Sequence, residues 1–363
     1  MGSSRERESA ASRRQTLTEA LSRLPRARLA TLPTPLIEAK RLSSELQGPR
    51  IWIKREDLVG LGLGGSKYRI LEFTVGNALA NGADVLIAGG MAQSNHPQQV
   101  VCAAAYVGLP VVVLLGGAEG HVGWTGNMLL QGLGGAEIHV LPSATFDEVR
   151  VAQESLAERL RARGRRPAIV TLTRDAHVYG VIAYLNYMIE LTGQLEEQGV
   201  EPAALYVGSG GPSYAGMALG AMALGVAFDV IGVSPLGSAA VNSRTVAELI
   251  ATAVQKLQID VAFDAQRIRI TDAYLGAGHG ITTPEAVAAI KLTASTEAIY
   301  LDPVYSGKAM AGLIDHVNKG ELRADQTVVF AHTGGSPSTF AYSDDLMPEP
   351  YSVMEAAHIA PGA

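Results

Sequence analysis

The stretch "GLGLGGSKYR", residues 60–69, sets Lys67 directly after a run of glycines and ahead of a segment with helical spacing. Three chemistries use a loop of this kind, and each asks something different of the residues around the lysine. Gly60, Gly62 and Gly65 satisfy the dinucleotide pattern G-x-G-x-x-G, and a β-branched run precedes them. That use requires a ribose-binding carboxylate at the end of the next strand. Asp84 lies near the right distance but precedes its strand, which ends in Gly89 and Gly90. A phosphate-binding P-loop requires glycine before the lysine and Ser or Thr after it, and here Ser66 and Tyr68 stand there. The third chemistry is a Schiff base, in which a lysine whose ordinary pKa is about 10.4 must be held where its uncharged amine is accessible. A solvated lysine at a helix start accounts for the same residues, so this loop alone leaves the choice open.

Other glycine-rich junctions accompany it. "YVGSGGPSYAG" runs from an apolar run through Ser209, Gly210 and Gly211 to Ser213 and Tyr214 at a helix start, where backbone N–H groups and the helix dipole suit a phosphate. A plain tight turn reads the same way. "AHTGGSPS" repeats the pattern with Thr333 as a hydroxyl. In "GGMAQSNHPQQV", Gln93, Ser94, Asn95 and His96 precede a helix whose first turn tolerates Pro97, a place that suits a carboxylate; a simple N-cap explains one of these residues but not four. No G-x-S-x-G elbow or H-E-x-x-H pair occurs, so no hydrolase or metal site is expected.

Elements able to position these residues alternate along the chain. Short runs such as "IWIKRED", "DVLIAGG", "VVVLLGG", "EIHVLP", "AIVTLT", "ALYVGSGG", "DVIGVSP", "IYLDPVY" and "TVVFAHTGG" read as strands between Ala- and Leu-rich helices. Several are continuously apolar, the mark of strands covered on both faces. The expected fold is α/β with open, mostly parallel sheets, in which ligands gather at the carboxyl ends of strands. With 363 residues, two domains are expected: a small α/β unit over 82–190, and a larger one from 16–81 and 191–363, behind a disordered leader at 1–15.

Composition narrows the partners. A net charge of −6, from 29 basic and 35 acidic side chains, offers no field for a nucleic acid backbone. No apolar run is long enough for a bilayer span, so no membrane is expected. Cys102 is the only cysteine, which points to a reducing, cytoplasmic compartment.

Taken in order, "LPTPLIEAKRLSSELQGPRIWIKREDL", "GLGGSKYRILEF", "QSNH", "LDPVYSGKAMAGL" and "HTGGSPSTFAY" resemble the D-cysteine desulfhydrase and 1-aminocyclopropane-1-carboxylate deaminase group of pyridoxal-phosphate enzymes, which share the tryptophan synthase β-subunit fold. The resemblance spans nearly the whole chain and is weakest over 141–180. It implies pyridoxal 5'-phosphate as cofactor, a small amino-acid substrate and a homodimer. It further implies Lys67 as the Schiff-base lysine and α-proton base, with Ser94 and Asn95 on the substrate carboxylate beside Gln93 and His96. Tyr305 would be the second acid/base or stacking group, and Gly208–Tyr214 the phosphate loop. Ser306 and Thr333 would be neutral hydroxyls near the pyridine nitrogen.

Ser66, Pro212, Gln98 and His279 depart from what relatives carry, as does "TRDAHVYG", and these departures fall mainly on the expected substrate side. The deaminase branch has glutamate where this chain has Ser306. A neutral partner favours β-elimination, in which the leaving group takes the electrons, giving a keto acid and ammonia. The alternatives are β-replacement in a specialised pathway, cyclopropane opening and, remotely, a nicotinamide-dependent dehydrogenase.

Overall fold

The computed structural model describes residues 9–117 and 123–347. Ten strands occur there: β1 (Leu36–Glu38), β2 (Arg50–Arg55), β3 (Val85–Met91), β4 (Val111–Gly116), β5 (Glu137–Val140), β6 (Pro167–Ile169), β7 (Ala204–Val207), β8 (Asp229–Val233), β9 (Arg269–Thr271) and β10 (Thr327–His332). They form a six-stranded sheet in the order β1-β2-β10-β7-β8-β9 and a four-stranded sheet in the order β5-β4-β3-β6. Every pairing is parallel except β1 with β2. The α/β class with mostly parallel sheets is as the sequence led us to expect.

The continuous apolar runs follow from double-sided cover. Along β4 every residue is buried. Helices Arg174–Gln198 and Pro212–Leu224 seal one face of the larger sheet through Tyr184, Met188 and Met217, while Pro284–Glu297 and Ser306–Asn318 seal the other through Ile290, Met310 and Leu313. The smaller sheet packs Lys67–Ala80 and Asn95–Val107 on one face and Phe146–Ala162 on the other. The last of these begins at a capping box in which Thr145 and Glu148 satisfy each other's backbone N–H groups.

Strand order is what assembles the site. β2, β10 and β7 are parallel neighbours, so their carboxyl ends deliver the turns before Lys67, at Thr333 and at Gly208 to one edge of the sheet. From the other sheet, the end of β3 supplies residues 93–96.

Three expectations need correcting. Residues 10–15, assigned to a disordered leader, form the first turns of helix Ala10–Ser22, capped by Ser9, because Leu17, Ala20 and Leu21 have an apolar core to enter; residues 1–8 lie outside the described residues. Residues 174–190, assigned to the small unit, belong to a helix whose buried face packs into the core of the larger sheet. "IYLDPVY" is not a strand: Pro303 has no N–H, and the Asp302 carboxylate accepts the N–H groups of Val304, Tyr305 and Ser306 that a ladder would have used. Among the described residues no helix is long and apolar enough to cross a membrane.

Candidate active site

Lys67 is the first residue of helix Lys67–Ala80. The turn that delivers it is held from both sides, Gly65 N–H donating to Glu56 O at 3.0 Å and Ser66 N–H to Thr333 O at 3.0 Å. Glycine is required where this turn crosses the one after β10: Gly334 has φ +86°, and a Cβ there would stand 2.6 Å from Gly65 Cα. The amine of Lys67 has no hydrogen-bond or ion-pair partner among the described residues and lines a cavity of about 280 Å³ with His96, His177 and the glycine turn at 208–211. Burial lowers its pKa to about 8, opposed only by the field of Asp302. The sequence offered a solvated lysine as the alternative, and the half-buried position of Lys67 in this cavity speaks against it.

Across the cavity, Gly208 lies so close to Tyr305 that a Cβ would meet its carbonyl oxygen at 2.5 Å. Gly211 caps helix Pro212–Leu224, and Pro212 takes its first position. The missing N–H of Pro212 therefore costs little, since that group has no helical acceptor anyway. The N–H groups of Ser213 and Tyr214 belong to the same open first turn. The side chain of Tyr214 is buried away from the cavity, with the hydroxyl donating to Val230 O at 3.3 Å and accepting from Arg269 N at 2.5 Å. The hydroxyl of Tyr184 approaches Ser66 and Ser213 without reaching hydrogen-bond geometry with either.

A third wall comes from the smaller sheet. Ser94 caps helix Asn95–Val107, accepting from His96 N at 3.4 Å. Asn127 is fully buried and clamps this turn, its amide donating to Asn95 Oδ1 at 2.7 Å and Gln93 O at 2.8 Å. Asn95 keeps its amide nitrogen for a ligand. Gln93 does not serve as expected, because its oxygen accepts from Asn127 N at 2.9 Å and its nitrogen donates to Thr125 O at 3.3 Å. Gln98, expected on the substrate side, is buried against Cys102, with its nitrogen 3.2 Å from Sγ. Burial and the neighbouring Lys67 and His177 push His96 down to about 3, and its Nε2 has no protein partner.

Tyr305 joins this cavity to a second, where His279 meets its ring edge-on at 5.7 Å. Burial raises the Tyr305 pKa above its ordinary value and lowers that of His279, so both are neutral near pH 7. Thr333 lines the cavity with Lys67. Ser306 does not serve beside it: its hydroxyl donates to Asp302 Oδ1 at 2.6 Å and accepts from Asp302 N at 2.8 Å, and the residue is fully buried.

Sequence reasoning passed over Asp302, Asn127, His177 and Phe146. An aspartate ahead of a proline and a helix start is a recognisable trap for backbone N–H groups, and His177 sits in a segment already marked as unusual. Nothing in the sequence points to Asn127 or Phe146, which matter through contacts with distant segments.

A half-buried, unpartnered amine facing a glycine turn at a helix N-terminus fits an aldehyde-bearing cofactor with a phosphate tail. The pyridoxal-phosphate dependent enzyme family matches residues 27–334. The chain belongs to that family. It is 37% identical over 332 residues to a D-cysteine desulfhydrase of Klebsiella pneumoniae (strain 342), covering 90% of this chain and 98% of that one. It is also 37% identical over 330 residues to the D-cysteine desulfhydrase of Salmonella newport (strain SL254), covering 89% and 97%. Among solved structures, one described as an ACC deaminase homologue superposes with a TM-score of 0.81 at 32% identity, covering 92% of this chain and 98% of that one. Pyridoxal 5'-phosphate is the cofactor of this family.

Proposed function

We propose that this family member is a lyase of the D-cysteine desulfhydrase kind, removing a β-substituent from a small amino acid and releasing a keto acid and ammonia. The observation that carries the reading is the Lys67 amine, without a protein partner, lowered to about 8 and facing the turn at 208–211. When bound, pyridoxal phosphate supplies an electron-withdrawing ring that makes the substrate's α-proton removable.

The chain's own residues do the rest. Lys67 anchors the cofactor and moves the α-proton, a task suited to an amine whose pKa is near the working pH. Gly210, Ser213 and the backbone of Tyr214 hold the phosphate through N–H groups and the helix dipole, while Ser209 and Gly211 shape the turn, since Ser209 N–H already donates to Val207 O at 2.9 Å and Gly211 N–H to Ser209 Oγ at 3.2 Å. Ser94 and the Asn95 amide nitrogen, at the helix N-terminus, orient the carboxylate. His96 is neutral and serves by hydrogen bonding. Tyr305 is protonated and donates a hydrogen bond or a proton beside the ring. Thr333 is the neutral hydroxyl for the ring nitrogen, a role Ser306 is not placed to share. The homodimer belongs to this proposal, supported by exposed Leu129 and Leu133 on one face of helix Gly126–Leu133; the single cysteine supports a cytoplasmic setting.

The test is a screen of D- and L-amino acids with β-leaving groups for keto-acid release, with visible absorption recorded in parallel. A yellow protein releasing keto acid from at least one of them supports the reading, and a yellow protein inert to all of them overturns it. Light scattering on the eluting peak checks the dimer.

A further inference from the structure

The second cavity, about 360 Å³, begins at Ser94 and Tyr305 and runs away from the phosphate turn. Met91, Phe146, His279, Ile281, Val304 and Tyr342 form half of its lining, Gln93 lies beside Ser94, and none of its described lining residues is Asp, Glu, Lys or Arg. Phe146 and His279 are parallel plates, with centroids 5.7 Å apart and planes 12° apart. Phe146 begins the helix behind the smaller sheet, whereas His279 lies on a loop between β9 and helix Pro284–Glu297, so the plates meet across the cleft. Ile281 is half-exposed and marks the mouth.

Size and lining speak against a bare thiol as the group this space receives. A hydrogen sulfide leaving group has one heavy atom and little more bulk than a water, whose share of liquid volume is about 30 Å³. The cavity is several times larger than that. Aromatic and thioether walls favour apolar or aromatic ligands, and beyond the donors at Ser94 and Tyr305 the described lining offers an anion no cationic side chain. Lys308, whose field reaches His279, is fully buried and donates to Leu275 O at 2.7 Å and Gly278 O at 3.1 Å. Burial keeps His279 uncharged.

Resting on the lyase reading above, we infer that the substrate is an S-substituted cysteine whose uncharged alkyl or aryl thioether arm lies in this cavity, with Phe146 as a specificity-determining residue. The reaction balances as RS–CH2–CH(NH3+)–CO2− plus water giving RSH, pyruvate and ammonium. The Cα–H and Cβ–S bonds break, sulfur leaves with the bonding pair and takes a proton, and water supplies the keto oxygen.

Isosteres that cannot eliminate separate binding from turnover. The holoenzyme is titrated by calorimetry with 2-aminobutyrate, with 2-amino-5-phenylpentanoate, in which CH2 replaces the sulfur of S-benzylcysteine, and with charged 2-aminoadipate, each as both enantiomers. The phenyl compound is expected to bind at least about tenfold more tightly than either of the others, and Phe146→Ala to reduce that ratio to below about threefold. Phe146 is half-buried at a helix start, and the thermal midpoint of the variant checks that it folds. Equal or tighter binding of 2-aminobutyrate overturns the inference and leaves the lyase reading standing. Tight binding of 2-aminoadipate overturns the uncharged arm. Failure of all three to bind a yellow holoenzyme overturns the inference and leaves the lyase reading to the keto-acid screen, whereas keto-acid release from S-benzylcysteine with higher kcat/KM than from cysteine supports both.

Discussion

Lys54 is fully buried on strand β2 and Lys67 half-buried on the helix that follows it, and they have opposite fates. The Lys54 amine is fully buried and donates to Glu190 Oε1 at 2.5 Å, Thr34 O at 2.6 Å and Gln194 Oε1 at 2.6 Å. Behind it, buried Arg69 grips both Glu56 and Glu190, so two cations face two carboxylates. Burial lowers the Lys54 pKa, but Glu190 and Glu56 pull it back up. Lys67 has no such partner, and only the field of Asp302 opposes the effect of burial. Depth alone therefore does not make an amine reactive; what matters is whether donors and acceptors close around it. The first lysine ties β2 to helix Arg174–Gln198, and the second is left free for chemistry.

The largest effect that tests this contrast is on activity. Lys67→Ala should lower kcat by more than about 10⁴-fold, beyond the usual range for one acid–base group, because the covalent anchor is lost as well. The check is steady-state keto-acid release together with loss of the yellow colour, and a variant retaining a tenth of the activity would sink the assignment. Arg69→Met should instead lower the unfolding free energy by about 3–5 kcal/mol, since it leaves buried Glu56 and part-buried Glu190 short of a partner; urea denaturation measures it. Lys54→Met should cost less, about 1–3 kcal/mol, because Glu190 keeps Arg69 while Thr34 O and Gln194 lose a donor. If Lys54→Met abolished colour while preserving stability, the contrast would be wrong.

The smallest and sharpest test is pH. A neutral acylating reagent should label Lys67 of the cofactor-free protein with a midpoint at about 8, read by mass spectrometry, while Lys54 stays unlabelled until the chain unfolds. The sign for stability follows: the folded pKa lies below the unfolded value of about 10.4, so the unfolded chain holds more protons between the two. Stability relative to Lys67→Met should rise with pH across that window.

How much of this was legible in advance differs from residue to residue. The strand–glycine–helix rhythm exposed Lys67, the 208–214 turn and the 93–96 turn, because glycine and helix-start chemistry are local signals. Tyr305 entered only through family resemblance, as an aromatic after an apolar run carries no signal of its own. Ser306, Gln93, Gln98 and the Tyr214 side chain looked available in the sequence and are engaged in the fold, by Asp302, by the 125–127 segment, by Cys102 and by strands β8 and β9. A one-dimensional reading assigns a polar side chain its capacity to bond but not its partner.

The sequence by itself determined the class of fold and singled out the lysine, since alternating apolar runs and glycine turns are written in neighbouring residues, while the cofactor came from the family resemblance of its ordered motifs. Only the tertiary structure decided which hydroxyls and amides remain free, how far the Lys67 amine is lowered, and that Phe146 and His279 close the far cavity. Those outcomes depend on contacts made only on folding, such as Gln93 with Asn127 across 34 residues and Phe146 with His279 from another part of the chain, and a desolvation or a hydrogen bond exists only once the groups have met.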